Sequence, residues 1–310
     1  MADVTDQGFL IAGVELGGTK CIATLAQGQK IVRQERWPTQ GPETLEHISA
    51  TLESWRKETP FAAIGIGSFG PLCLDPCNPG FGRMENTPKP GWAGADIYGH
   101  FTDRFPLPIG IDTDVAGAAL AEGKWGASMG CAVHAYATIG TGVGLGVVVE
   151  GKAVHGRLHP EAGHMRIRRA PGDTFAGACP AHGDCLEGLV GGPALAARAT
   201  VPLAELPDDD SLWDYVASEL GEWAAMLILC LSPQRLVMGG GVLDSRPNLL
   251  SKVRAAVADN LGGYLAGLDR RGLENLIVPP ALGREAGPLG AIVLGANALA
   301  SWRREPDACE

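Results

Sequence analysis

The sequence predicts an α/β protein built as two related lobes, and three observations carry that expectation. A strand-rich beginning followed by strand–helix alternation occurs twice along the chain. Glycine-rich segments stand at three places where strands end. The length of 310 residues is enough for two moderate domains, each with its own core.

Residues 9–16, F-L-I-A-G-V-E-L, read as a strand that breaks at Gly17-Gly18. Residues 21–27 and 30–37 flank a turn at Gly28 and continue as a hairpin by alternation and turn chemistry. From 42 to 57, Leu45, Ile48, Leu52 and Trp55 recur at helical spacing, and Pro42 suits a first helical turn. Residues 62–67 and 109–112 are expected as buried strands, and 115–126 as an alanine-rich helix. The second half opens like the first, with strands over 134–140 and 143–150 around a glycine turn. A long apolar-periodic helix is expected over 211–231, then a strand over 234–238 ending in Gly239-Gly240-Gly241. A helix over 248–261, a strand over 276–279 and a closing helix over 286–300 complete the alternation. The acidic stretch 200–210 reads as a surface loop.

Asp and Glu outnumber Lys and Arg by 35 to 25, for a formal net charge of −10. That balance disfavours nucleic acid and anionic membrane as partners. No apolar run reaches membrane-spanning length, and M-A-D-V-T-D-Q lacks the basic and apolar regions of a secretory leader. The eight cysteines are scattered apart from one pair, which points to a reducing cytoplasm. Cys21, Cys73, Cys131 and Cys230 sit in apolar contexts and read as small buried side chains.

The cysteine pair lies in C-P-A-H-G-D-C-L-E, where Cys179, His182 and Cys185 each stand three residues from the next. His164 lies fifteen residues upstream of Cys179, with His155 and His159 as competitors for the fourth position. Two thiolates and two imidazoles complete a tetrahedral zinc set with no open position, so the expected role is structural. Glu161 precedes this run and Glu187 follows it. A zinc-braced loop would hold both carboxylates rigidly toward a neighbouring pocket.

Gly17, Gly18, Thr19 and Lys20 link two strands of a hairpin, and amides in such a turn can point at phosphate oxygens. Gly140, Thr141, Gly142, Val143 and Gly144 repeat that composition. Gly239, Gly240 and Gly241 sit between strand and helix, where a nucleoside could lie against bare backbone. Gly65, Gly67 and Gly70 match a dinucleotide fingerprint in letters, but Pro71 follows and no helix opens there. Asp114 follows a strand and opens a helix, so it is either an N-cap or a carboxylate poised to take a proton. Asp112 and Thr113 could cap equally. Alongside two phosphate-type turns the proton acceptor is the preferred reading.

These residues together resemble the ROK family of sugar kinases and repressors. The resemblance runs through E-L-G-G-T-K, G-I-G-S-F-G-P, N-T-P-K-P-G-W, T-D-V, I-G-T-G-V-G, H-P-E-A-G-H, C-P-A-H-G-D-C-L-E-G, M-G-G-G-V and L-G-R-E-A-G-P-L-G-A, nearly the whole chain. Glu15, Thr113 and the spacing of the Cys/His run are similar to the family's fructokinase subgroup. The resemblance implies a two-lobed actin-like ATPase-domain fold of the ribonuclease H-like class, with a zinc-braced loop. Its lobes would be 1–115, joined by the helix 286–300, and 116–285. It implies ATP-dependent phosphorylation of D-fructose with Asp114 as general base, the lobes closing to exclude water. Gly70, Pro71, Thr113, Glu161, His164 and Glu187 would meet the sugar, with loops including residues 86–92. His164 would also join Cys179, His182 and Cys185 on zinc. Gly17, Gly18, Thr19, Lys20, Gly140, Thr141, Gly142 and Gly144 would hold phosphates, Gly192 and Pro193 would border the nucleotide, and Gly239 to Gly241 the adenosine. Magnesium would arrive with the nucleotide, and the protein would be a cytoplasmic homodimer.

The chain departs from the family pattern at Ala116, where an Asn is usual, and at Gly191, where a Ser is usual. Mannose, glucose or an N-acetylated amino sugar is the alternative substrate, because epimers differ by one or two pocket hydrogen bonds. A non-catalytic sugar sensor that binds DNA is the other alternative. Its winged-helix module has no room ahead of a first strand at about Phe9, and the acidic balance also opposes it.

Overall fold

The computed structural model describes residues 8–303. β1 (Leu10–Leu16), β2 (Lys20–Gln27) and β3 (Lys30–Pro38) form an antiparallel meander. After α1 (Thr44–Glu58), β4 (Ile64–Ser68) joins β1 in parallel. A short α2 (Ile97–Thr102) precedes β5 (Ile109–Thr113), parallel to β4, and α3 (Asp114–Trp125) follows without a break. The sheet order is β3-β2-β1-β4-β5.

The second sheet repeats this plan. β6 (Val133–Ile139) and β7 (Val143–Val149) are antiparallel, with β8 (Lys152–Ala153) at the edge. Parallel strands β9 (Arg235–Gly239) and β10 (Ile277–Val278) extend the other side, for an order β10-β9-β6-β7-β8. Counted from its own first strand, each sheet reads 3-2-1-4-5. The helices of this half are α4 (Leu186–Val190), α5 (Gly192–Arg198), α6 (Leu212–Leu231), α7 (Gly241–Asp244), α8 (Leu249–Leu261) and α9 (Arg270–Leu276), before the closing α10 (Ala286–Trp302). Among the described residues no helix is long and apolar enough to cross a membrane.

The described residues form two compact units, 8–125 with Gly151–Pro160 and 284–303, and Gly126–Glu150 with Glu161–Gly283. The expected boundary at 115/116 therefore falls inside the first unit. The reason is backbone-close packing of α3 on α10, where a Cβ on Gly290 would stand 2.3 Å from the Gly117 carbonyl carbon. The same closeness accounts for the first of the fingerprint-like glycines. A Cβ on Gly65 would lie 1.8 Å from the Ala291 carbonyl oxygen, so Gly65 lets α10 lie directly on β4.

In the second unit α6 is the central helix, with Trp223 fully buried and its indole N–H donating to the Ala162 carbonyl at 3.0 Å. A buried charge cluster ties the Cys/His loop to this helix. Arg198 donates to Glu219 Oε2 at 2.9 Å and to Asp173 Oδ2 at 3.1 Å, and Arg169 donates to the same Asp173 oxygen at 2.6 Å. Two of the four expected buried cysteines differ: Cys21 and Cys73 are buried, Cys131 is half-buried and Cys230 is exposed near the end of α6. The short helices α2, α4 and α9 lie outside the sequence expectation, being too brief to show helical periodicity. Leu206 is buried within the acidic stretch, and the Trp213 indole donates to the Pro207 carbonyl at 2.9 Å, so that loop is pinned to the core.

Candidate functional site

In the first unit, β1, β4 and β5 all end beside the candidate base. Thr113 Oγ1 accepts the Ala116 amide at 3.1 Å, which is the N-cap bond of α3. Thr113 is the cap, so Asp114 is not needed for that role. Asp114 Oδ1 accepts the adjacent Val115 amide at 2.9 Å. Burial pushes its carboxyl up to about 6, opposed by its backbone hydrogen bonds and the Lys89 ammonium. A carboxylate with that basicity is mostly ionised at neutral pH yet can take a hydroxyl proton.

Glu15 lies at the end of β1. Burial first, and then the Asp114 charge, push its carboxyl up to about 7 against the pull of Lys20 and Arg36. Its Oε2 is buried without a hydrogen-bond partner. The next residues make the exposed turn of Gly18, Thr19 and Lys20, closed by the Gly17 amide on the Lys20 carbonyl at 3.0 Å. Phe69, after β4, donates its amide to the Leu16 carbonyl at 2.8 Å, which sets Gly70 and Pro71 beside that turn; the Gly70–Pro71 peptide is cis. Lys89 reaches the same turn, donating to the Gly18 carbonyl at 2.6 Å. Trp92 is fully buried with its indole N–H on the Gln40 carbonyl at 2.8 Å, so it anchors the 86–92 segment from within the core.

The two competing zinc histidines are committed elsewhere in this unit. His155 Nε2 lies 3.0 Å from Asp112 Oδ1, a bond that raises the imidazole's pKa. His159 is buried and its Nε2 accepts the Leu72 amide at 3.0 Å, with burial holding the ring toward its neutral form.

In the second unit the Gly140–Gly144 turn packs against α4 and α5. Glu187 Oε2 accepts the Val143 amide at 3.0 Å, and a methyl on Gly142 would stand 2.5 Å from that oxygen. The Gly192 amide donates to the Gly140 carbonyl at 2.8 Å, which sets Pro193 in the first turn of α5 beside the turn. Gly191 replaces the usual Ser where a Cβ would meet the Glu187 carbonyl at 2.7 Å. At the third turn Gly240 takes φ +97° and a Cβ there would lie 2.5 Å from the Ile139 carbonyl oxygen, so the position requires glycine. Gly241 has no atom within 4 Å of a built Cβ, leaving open backbone.

His164, Cys179, His182 and Cys185 converge, their ligand atoms all within 4.8 Å of one another. Cys179 Sγ stands 3.7 Å from both His164 Nδ1 and His182 Nδ1, and Cys185 Sγ stands 3.5 Å from His164 Nδ1. Zinc bonds of about 2.3 Å to sulfur and 2.1 Å to nitrogen give tetrahedral S···N separations of about 3.6 Å. The four side chains therefore fit zinc. Burial pushes the Cys185 thiol up to about 11, with Cys179 adding to the rise, and a divalent cation is the partner that reverses such a shift. Binding through Nδ1 would leave His164 Nε2 toward Glu161, whose Oε2 is 3.9 Å away. Trp223 fixes that short turn (Ala162–His164) from below, and the Met165 carbonyl accepts the Leu186 amide at 2.9 Å, linking it to α4 and Glu187.

The ROK family model matches residues 11–298. The chain belongs to the ROK family. Its ROK relatives include a fructokinase from Zymomonas mobilis subsp. mobilis, 42% identical over 290 residues that cover 91% of this chain and 94% of that protein. A fructokinase from Pediococcus pentosaceus is 37% identical over 292 residues, covering 94% of this chain and 99% of that one. Among solved structures, the ROK hexokinase from Thermus thermophilus matches with a TM-score of 0.75 at 28% identity, over 94% of this chain and 99% of that chain. The duplicated 3-2-1-4-5 sheets are those of the actin-like ATPase fold that these ROK kinases share.

Every candidate residue read from the sequence lies in one of two groups, one per unit. The first holds Gly17 to Lys20, Gly70, Pro71, Thr113 and Asp114; the second holds the Cys/His cluster, Glu161, Glu187 and the turns at 140–144, 192–193 and 239–241. Sequence reasoning read Glu15 only as a subgroup marker and Lys89 only as part of a loop. An acidic residue inside an otherwise apolar strand was the available signal for Glu15.

Proposed function

We propose that the chain is an ATP-dependent hexose kinase that transfers the γ-phosphoryl group of ATP to the 6-hydroxyl of D-fructose. The observation that carries the reading is the raised carboxyl of Asp114, relieved of capping by Thr113 and set at the strand ends beside the Gly17–Lys20 turn. The relatives bearing the fructokinase name across nearly their whole length support the ketose over other hexoses. In this mechanism the sugar oxygen forms a bond to the γ-phosphorus, the bond to the ADP oxygen breaks, and the hydroxyl proton goes to Asp114. Glu161, His164 and Glu187 bind the sugar hydroxyls, held in place by the metal cluster and Trp223. The glycine turns offer backbone amides to the phosphates and the open backbone at Gly241 takes the adenosine.

Zinc on His164, Cys179, His182 and Cys185 supplies cross-linking of the loop. Glu15 suits magnesium carried in with the nucleotide, because its unpaired, buried Oε2 gains a partner when a hydrated cation arrives. That ion supplies charge neutralisation of the phosphates. A cytoplasmic homodimer belongs to the same reading, and sizing by light scattering tests the dimer.

The direct test is coupled ADP release with fructose, mannose, glucose and N-acetylated hexosamines, with the product's phosphate located by NMR. Fructose should give the highest kcat/KM with phosphate on O6. No sugar-dependent ADP release from any hexose defeats the kinase reading; glucose or an N-acetylated hexosamine outperforming fructose defeats the substrate assignment.

A further inference from the structure

Lys89 has a setting that its place in a surface segment does not explain. It stands between Pro88 and Pro90, and a residue ahead of a proline is held to extended backbone conformations. Its carbonyl accepts the Trp92 amide at 3.3 Å, and Trp92 is fixed in the core. A normally mobile side chain is thus launched from a fixed backbone. Its ammonium donates to the Gly18 carbonyl at 2.6 Å and lies 4.8 Å from the centre of the Phe69 ring. Those contacts join the candidate phosphate turn to the loop that leads into Gly70 and Pro71. Its charge also pulls the Asp114 carboxyl down against the effect of burial.

We propose that Lys89 is a catalytic residue whose ammonium binds the phosphoryl group in transit between the Gly17–Lys20 turn and the sugar hydroxyl at Asp114. The inference rests on the kinase reading above. The phosphoryl group in transfer spreads negative charge over its equatorial oxygens, and a fixed cation beside it acts most strongly at that moment. Lys89 keeps its protons throughout; the sugar proton goes to Asp114 and the leaving electron pair to ADP. An ammonium has three donors, so the Gly18 contact can persist while phosphate oxygens take the others.

Lys89→Met and Lys89→Arg separate this role from its alternatives. Methionine keeps the length and the contact with Phe69 without the charge. It should lower kcat about 100- to 1000-fold, the scale of losing one transition-state donor, while leaving the KM for fructose within about threefold. The acid limb of the kcat/KM profile should also move to higher pH, because Asp114 then loses its opposing cation. Glu15, Lys20 and Arg36 remain in both variants, so they do not produce that shift. Arginine should restore at least about tenfold of the lost kcat and return the acid limb, since it keeps the charge but not the shape. A methionine variant with kcat within about threefold of the parent overturns the proposal. So does a raised fructose KM at unchanged kcat, which makes Lys89 a sugar-loop residue, or an unmoved acid limb. Failure of the kinase reading would appear separately, as absence of sugar-dependent ADP release in the unaltered protein.

Discussion

Asp114→Asn separates the two roles a helix-opening aspartate can play, because the structure gives opposite signs for activity and stability. The Asp114 carboxyl rises from an ordinary 3.8 to about 6, mainly through burial. At about 1.4 kcal/mol per pKa unit, holding the charged form in the folded protein costs about 3 kcal/mol. Because the folded pKa lies above the unfolded one, this group favours folding at low pH, and that contribution is lost as pH rises through about 6. The amide of Asn has the same shape, keeps an oxygen for the Val115 amide and carries no charge. Thr113 continues to cap α3. The variant should therefore melt higher than the parent above pH 6, by up to about 3 kcal/mol of stability, with the difference closing below pH 4. Turnover should fall about 100- to 10,000-fold, the usual worth of a positioned base, with sugar binding retained. In the parent, kcat/KM should fall about tenfold per unit as pH drops below 6, because only the ionised carboxylate accepts the proton. The assays are coupled ADP release and thermal melts from pH 4 to 8. Near-parental turnover, or a melting temperature that falls at pH 7, would refute the assignment of Asp114 as base.

Protein purified without added metal should carry about one zinc per chain, and Cys179→Ser or Cys185→Ser should strip it by elemental analysis, as a closed four-ligand site requires. Unchanged zinc content in both variants would remove the site. Glu161→Ala should raise the fructose KM about 10-fold or more with little effect on the ATP KM. It is a cleaner probe than Glu187→Ala, because Glu187 also holds the Val143 amide in the candidate phosphate turn; equal losses for both substrates with Glu161→Ala would end its role as a sugar ligand. Glu219, fully buried on α6, has its carboxyl pushed up to about 7 by burial against the pull of Arg198. With the folded pKa raised above 4.5, the parent loses stability as pH rises from about 4.5 through 7, whereas Glu219→Gln removes that titration. The variant should gain on the parent by at most about 3 kcal/mol above pH 7 in melting experiments, and an identical pH dependence would show that Glu219 does not titrate there.

The main strands and long helices were legible because their signals are local. Alternation and glycine turns mark β1 to β3, and helical spacing marks α1 and α6. The Cys/His cluster was partly legible for a similar reason, since three of its members lie within seven residues on one tight turn. Its fourth member was not decided by spacing, because His155, His159 and His164 all precede that turn at reachable distances.

Local letters alone carry the alternation of elements, the residue types at the turns and the donor chemistry of the Cys/His run. Which of several equivalent residues takes which partner depends on how distant segments pack. Thr113, Asp112 and Asp114 are interchangeable caps on paper; the fold gives the cap to Thr113 and a His155 partner to Asp112, leaving Asp114 as the candidate base. His159 looks like a ligand in sequence, but folding buries it against the Leu72 amide, 87 residues away along the chain. The raised carboxyls of Glu15 and Asp114 arise in the same way, from burial, and parallel strand pairing adds the Asp114 charge to the rise at Glu15. Desolvation and long-range hydrogen bonds depend on which segments pack together, and neither is a property of neighbouring letters.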